Sequence, residues 1–171
     1  SLFDQYQRWQ PRPAPAQTTV QVVDIDEASL TRLGQWPWPR DRLAQLLDRL
    51  HQAGAAVVVF DVLFAEPDRS SPQYLSKQLE LPPELAQTLQ ALPDHDLQLA
   101  TALARQPSVL GFATTRTASP TAPLSRFGVQ VTAGAKAPGF SAYMGTTAAL
   151  PVLENAAAGN GAMSFRPDAD G

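Results

Sequence analysis

Carboxylates at the ends of two predicted strands are the residues whose types and spacing could do chemistry. Asp24 and Asp26 stand at the end of the first apolar run, residues 20–25, and Asp61 follows the second run, residues 55–60. The carboxyl ends of parallel strands meet at one edge of a sheet, where open α/β proteins bind their ligands. Three carboxylates at that edge could hold Mg²⁺ or Ca²⁺ through oxygen ligands, which is the chemistry of a metal-dependent phosphohydrolase.

A second interpretation gives the same carboxylates a role in holding the fold. Asp26 and Asp41 each precede a predicted helix, so each could cap a helix N-terminus. Asp24 or Asp61 could pair with Arg40, because a buried carboxylate without a cationic partner is costly. This interpretation is favoured, since the companions that catalysis needs are missing.

Those companions are a phosphate loop, a nucleophile and a base. The chain has neither a G-x-G-x-x-G nor a G-x-x-x-x-G-K-[ST] loop, no G-x-S-x-G elbow and no Cys. His51 and His95 fall on predicted helix surfaces, where we expect them to be solvated. A net charge of −3 excludes the electrostatic footprint of a nucleic-acid-binding protein. We therefore expect no catalysis, no metal, no cofactor and no nucleic-acid partner.

The W-P-W-P-R run of residues 36–40 combines two aromatic rings on a rigid proline frame with a guanidinium. Such a lip could bind a carboxylate or a sugar. Alternatively, Trp36 and Trp38 cover one end of the core while Arg40 neutralises a buried aspartate. The ligand-binding candidates are Asp24, Asp26, Trp36, Trp38, Arg40, Asp61 and Glu66.

Hydrophobic periodicity predicts an α/β fold with a mainly parallel sheet, flanking helices and at least four strands, and a sheet still incomplete at the C-terminus. Strands 20–25 and 55–60 are nearly continuous apolar runs, which indicates burial on both faces. The helix between them opens at Asp41 and ends at Gly54, which makes a βαβ unit with parallel strands. Further helices are expected at 2–9, 76–81, 83–92, 94–104 and 150–157, and further strands at 108–114, 129–132 and 161–165.

The predicted organisation is an N-terminal helix with a Pro-rich connector, residues 1–19, followed by one α/β domain over residues 20–171. Variable insertions are expected at 69–93 and 115–158. No apolar stretch approaches the ~20 residues that span a bilayer, and the chain resembles an excised segment of a longer protein. Its first helix, residues 2–9, could dock on the fold, make a dimer contact or continue a membrane helix.

Three motifs carry a resemblance to a known family. They are V-V-D-I-D-E-A-S-L at residues 22–30, L-G-Q-W-P-W-P-R at 33–40 and V-F-D-V-L-F-A-E-P-D at 59–68. Together they resemble a CHASE domain of the second type, an extracellular sensory module associated with cyclases and histidine kinases. The likeness covers residues 20–114 and 159–171. Residues 69–93 form a longer stretch than a compact member of the family would have, and residues 115–158 carry no motif of the family.

The resemblance implies a non-catalytic sensor domain with flanking transmembrane helices in the full-length protein. It implies an extracytoplasmic position in a bacterial inner-membrane protein, and an output domain such as a nucleotide cyclase or a protein kinase. The expected partners are a small-molecule ligand and a second copy in a homodimer. The rival hypotheses are a metal-dependent phosphohydrolase using Asp24, Asp26 and Asp61, and a ligand-free dimerisation module.

Overall fold

A computed structural model describes residues 2–10, 19–119, 121–126 and 143–164. The chain divides into two compact units, one formed by residues up to Trp36 and the other by Pro37–Ser164. Each unit has its own local structure, so the two are described in turn.

The first unit contains two short helices, both as predicted. Helix α1 spans Leu2–Trp9 and helix α2 spans Glu27–Leu33. Asp26 caps α2, because its carboxylate accepts a hydrogen bond from the Ser29 amide at 2.8 Å. Gly34 ends the helix with a φ of 93°, a conformation that favours glycine.

The predicted strand over residues 20–25 is wrong. These residues form no strand, and their valines face solvent, with Val22 90% exposed. β-branched residues favour extended backbone, but a strand also requires a hydrogen-bonded neighbour and a packed face. The apolar run therefore gives the propensity of a strand without the pairing that makes one.

The second unit holds the sheet and the remaining helices. Its elements are α3 (Arg40–Gln52), β1 (Val58–Phe60), α4 (Pro72–Gln78), α5 (Pro83–Ala91), α6 (His95–Arg105), β2 (Ser108–Thr115), β3 (Gly145–Thr147), α7 (Pro151–Ala156) and β4 (Gly159–Ala162).

Strand β2 is the centre of the four-stranded sheet. It pairs in parallel with β1 through Val59 and Val109, and in parallel with β4 through Leu110 and Asn160. Strand β3 pairs antiparallel with the last residues of β2. The α/β class with a mainly parallel sheet is confirmed, but the parallel partner of β1 is β2 and not residues 20–25.

The core lies between the sheet and three helices. Helix α3 packs against α6, and α6 packs against α7. Leucines at helical spacing make these contacts, and the fully buried side chains are Leu47, Phe64, Leu99, Leu103, Leu110 and Leu153. The amphipathic pattern of α6 predicted the burial of Leu99, Ala100 and Leu103 correctly, but Leu97, expected on the same face, is 56% exposed.

Several element boundaries differ from the prediction. Helix α3 begins at Arg40, one residue early, and the position before it is Pro39, which offers no side-chain cap. Helix α4 begins at Pro72 because proline suits a first helical turn. Strand β1 is short, and Val59 is exposed, so burial on both faces is wrong for this strand.

The later elements follow the prediction more closely. Helices α5, α6 and α7 and strand β2 are confirmed within one or two residues. Strand β4 comes two residues earlier than expected, and β3 was not predicted. Both consist of glycine and small or polar residues with little strand signal, and their pairing with β2 decides their conformation. The strand expected at 129–132 lies outside the described residues.

Candidate functional site

Five charged or titratable side chains meet where α3 and α6 begin. They come from three places: the first turn of α3, the loop after β1 and the first turn of α6. We call this group the charge cluster, and its members are Arg40, Asp41, Asp68, His95 and Asp96.

Arg40 lies at the centre of the charge cluster and is only 7% exposed. Its Nε is 3.6 Å from Asp96 Oδ1, and its guanidinium carbon stands 4.4 Å from the centre of the Phe64 ring. Burial lowers the pKa of the guanidinium, whereas the charges of Asp96 and Asp68 oppose that change. An arginine keeps its charge in such a setting, so its carboxylate partners are needed to make burial tolerable.

Asp68 joins the loop to both helices. Its Oδ2 accepts the Arg40 backbone N–H at 2.7 Å, which supplies the cap for α3 that Pro39 lacks. Its Oδ1 accepts the Ser70 amide and hydroxyl at 2.8 and 2.7 Å. Burial would raise the pKa of Asp68, but these hydrogen bonds, with one from His95, outweigh it and lower the pKa.

Asp96 completes the connection between the loop and α6. Its Oδ2 accepts the Asp68 backbone N–H at 3.0 Å. Asp96 thus holds the loop at Asp68, and Asp68 in turn holds the start of α3. Burial raises the pKa of Asp96, and the Asp68 amide and the Arg40 charge only partly offset that effect. Asp94 caps the same helix as predicted, with its carboxylate accepting the Asp96 and Leu97 amides.

His95 is an inner member of the charge cluster, so its expected place on a solvated helix surface is wrong. Its Nδ1 lies 3.1 Å from Asp68 Oδ2 and 4.0 Å from Asp41 Oδ1. Because an ionised carboxylate only accepts hydrogen bonds, the His95 tautomer that fits this contact has its hydrogen on Nδ1, which donates a hydrogen bond to Asp68. His51, at the far end of α3, is exposed as predicted.

The predicted pairing of Arg40 with Asp61 or Asp24 is wrong, since its ion pair is with Asp96. Glu66 meets Arg40 only through its backbone oxygen, 3.4 Å from the guanidinium. The Glu66 carboxylate instead forms an exposed ion pair with Arg69 at 2.7 Å.

The other candidate ligand-binding residues occupy varied positions. In the second unit Trp38 is buried, whereas Asp61 is exposed directly after β1. In the first unit Asp24 is exposed, Trp36 is half-buried and Asp26 caps α2. The hydrogen bonds from Ser29 hold the pKa of Asp26 below its ordinary value.

Sequence reasoning missed the roles of His95 and Asp96. The available signal was the Asp94-His95-Asp96 triplet at the start of a predicted helix, where only the first aspartate is needed as a cap. The second aspartate lies one helical turn before the buried apolar residues of the helix. Its position indicates a buried cationic partner, and Arg40 is that partner. Arg40 of the W-P-W-P-R run and Asp68 of the E-P-D run are thus joined directly by a hydrogen bond and again through Asp96 of α6.

Hydrogen bonds and ion pairs within the charge cluster connect α3, α6 and the loop after β1. Among the residues that the structure describes, no group of three or more His, Asp or Glu side chains is placed to hold a metal ion. No helix within the described ranges is long and apolar enough to cross a membrane.

Comparison with known proteins decides the family. The family model of the CHASE2 domain matches residues 1–171. The chain belongs to the CHASE2 family. CHASE2 domains are extracellular sensor domains of signalling proteins, so this CHASE2 domain is an extracytoplasmic sensory module. No curated protein and no solved structure matches the chain.

Proposed function

We propose that this CHASE2 domain is the non-catalytic signal-input part of a membrane-bound signal-transduction protein, located outside the bacterial inner membrane. A nucleotide cyclase or a protein kinase would be its output domain, and a small-molecule ligand its stimulus. The observation that carries the proposal is the family match across residues 1–171, combined with how the buried carboxylates are used.

The use of those carboxylates favours structure over turnover. Both oxygens of Asp68 already accept hydrogen bonds from Arg40, Ser70 and His95. Asp96 is engaged by the Asp68 amide and by Arg40. A catalytic carboxylate has to reach substrate or water, whereas both Asp68 oxygens are occupied by hydrogen bonds and Asp96 Oδ1 is buried 3.6 Å from Arg40 Nε. The contacts of Asp68 and Asp96 form a rigid connection between the loop and the two helices. A ligand could favour one of two arrangements of this connection.

The ligand site that we propose lies at the carboxyl ends of the parallel strands, beside Asp61. Asp61 is exposed and follows β1 directly, and Glu66 stands exposed on the same loop that carries Asp68. A ligand that binds Asp61 would pull on this loop, and the loop holds α3 and α6 through Asp68. Carboxylates at this position favour a ligand with a cationic or hydroxyl-rich face.

The test is thermal melting of the domain against a panel of amines, sugars, nucleotides, small carboxylates and divalent ions. A ligand at about 100 times its dissociation constant adds about 2.7 kcal/mol, or several degrees for a domain of this size. We expect one organic compound to raise Tm, and Asp61→Asn to remove the shift. The matched control, Glu80→Gln, changes an exposed carboxylate elsewhere and should keep the shift.

Two outcomes would contradict the proposal. A shift by Mg²⁺ or Ca²⁺ alone, with phosphatase turnover that Asp24→Asn or Asp61→Asn abolishes, would establish the phosphohydrolase instead. Silence across the whole panel would favour a module that binds no ligand.

A further inference from the structure

The loop between β1 and α4, residues 61–71, contacts the starts of three helices of the second unit. Through Asp68, this β1–α4 loop holds the first turns of α3 and α6. Through the Phe64 carbonyl, it accepts the Leu150 backbone N–H at 2.8 Å, directly before α7. Helices α3, α6 and α7 are the ones that enclose the core, so a single loop holds the starts of all three.

Phe64 is the residue at which these contacts converge. Its side chain is fully buried, and the centre of its ring lies 4.4 Å from the Arg40 guanidinium carbon. The same ring meets the Phe60 ring of β1 edge to face, with the ring centres 5.6 Å apart. Because its carbonyl also binds the Leu150 amide, a displacement of Phe64 changes contacts in α3, in β1 and before α7.

Polar contacts at the loop set the positions of these helices along their axes. Helix α3 packs on α6, and α6 packs on α7, but packed helices can slide past one another by small amounts. A hydrogen bond tolerates less movement, since it is lost when donor and acceptor separate to about 3.6 Å. The bonds of the loop to Arg40 and Leu150, at 2.7 and 2.8 Å, therefore tie the helix starts to the loop.

We infer that the β1–α4 loop couples the starts of α3, α6 and α7, and that Phe64 is the residue through which the charge cluster and α7 affect each other. Such coupling is reciprocal, so a change at either end alters the other. The inference deepens the proposed function and rests on it for the stimulus, since Asp61 is the first residue of the same loop.

Removing the Leu150 hydrogen bond tests the coupling from the α7 side. Leu150→Pro deletes the N–H, and the Leu150 φ of −54° suits proline. The matched control is Leu150→Ala, which removes the side chain but keeps the N–H. Amide hydrogen exchange is measured on the whole chain, and the β2 amides correct for global unfolding. We expect the Arg40 amide to exchange at least about tenfold faster in Leu150→Pro than in Leu150→Ala.

A milder change at the other end gives a second test, which does not require Leu150→Pro to fold. Arg40→Lys keeps the positive charge but loses the planar guanidinium over the Phe64 ring. The Leu150 amide should then exchange at least about fivefold faster than in the wild type. Arg49→Lys is the matched control, because Arg49 is an exposed arginine on the same helix, and it should leave Leu150 exchange unchanged.

Phe64→Leu tests the route of the coupling. This variant keeps the backbone carbonyl and a buried apolar side chain but loses the ring contacts with Arg40 and Phe60. In this background, Arg40→Lys should no longer change the exchange of the Leu150 amide, because two changes on one route are not additive.

Three results would overturn the inference. The first is equal Arg40 exchange in Leu150→Pro and Leu150→Ala, and the second is equal Leu150 exchange in Arg40→Lys and Arg49→Lys. The third is an undiminished effect of Arg40→Lys in the Phe64→Leu background, which would assign the coupling to direct packing of α6 on α7. None of these experiments uses a ligand, so a silent ligand panel contradicts the proposed function alone.

Discussion

Two helix pairs of the second unit, α3–α6 and α4–α5, both contain leucines but have opposite surroundings. In the α3–α6 pair, Leu47, Leu99 and Leu103 are fully buried, and the charge cluster joins the two helix starts. In the α4–α5 pair no residue is buried, and leucines such as Leu85 remain exposed. The first pair is part of the hydrophobic core, whereas the second pair leaves its leucines partly exposed to solvent.

The difference shows that apolar periodicity alone does not say where a helix packs. Burial of α3 and α6 depends on a polar connection that sets their starting points, because Asp68 binds the Arg40 amide and Asp96 binds the Asp68 amide. Within the described residues, helices α4 and α5 bury none of their leucines. A sensor needs both kinds of region, since a stable frame must support a surface that responds to a signal.

The largest expected effect comes from Arg40→Ala. Removing the guanidinium leaves Asp96 buried without its ion pair and removes the contact with the Phe64 ring, which should cost about 3–5 kcal/mol of unfolding free energy. The measurement is urea unfolding at low protein concentration. Arg49→Ala is the matched control, because Arg49 is an exposed arginine on the same helix. Equal losses in both variants would contradict the structural role of the charge cluster.

A leucine truncation in each pair compares the two regions directly. Leu47→Ala should destabilise the domain by about 2–5 kcal/mol, because it leaves a cavity in a close-packed core. Leu85→Ala should change stability by less than about 0.5 kcal/mol. Calorimetric melting of both variants measures the difference. Similar losses would mean that the α4–α5 pair is part of the core after all.

The pH dependence of Asp68→Asn should show the smallest effect. The folded state lowers the pKa of Asp68, so its contribution is fully present above the pKa of the unfolded chain and is lost as the pH falls through the lowered value. The variant should be less stable by about 1–3 kcal/mol at neutral pH, and this deficit should shrink as the pH falls below about 3.8.

The pKa of Asp96 shifts in the opposite direction to the pKa of Asp68, within the same charge cluster. Burial raises its pKa, so its contribution is present at acid pH and is lost as the pH rises through the raised value. Stability curves of wild type and Asp68→Asn from pH 3 to pH 7 separate the two aspartates. A deficit that grows toward acid pH would show that the folded state does not lower the pKa of Asp68.

Sequence patterns predicted the helices and the central strand well, because each has a strong local signal. Helix α6 has a cap at Asp94 and leucines at helical spacing, and β2 is an apolar run between a helix end and a polar stretch. Residues 20–25 have an equally strong run but no ladder in the structure. Strand β3 shows the reverse case, since no sequence pattern predicted it and its pairing with β2 creates the strand.

The charge cluster was predictable only in part. Arg40 was expected to neutralise a buried aspartate, and it does, but the aspartate is Asp96 and not Asp24 or Asp61. Residues 40, 68 and 96 stand 28 positions apart in succession, and no local pattern reports a contact over that distance. The motifs identified the family correctly, since the CHASE2 family model matches the chain. Local patterns did not identify the partner of Arg40.

Amide hydrogen exchange of the two helix pairs tests the central comparison most directly. We predict that the α3 and α6 amides are well protected, since Leu47, Leu99 and Leu103 are fully buried. The α4 and α5 amides should exchange faster, because no residue of either helix is buried. Equal protection of the two pairs would contradict the claim that only the α3–α6 pair belongs to the core.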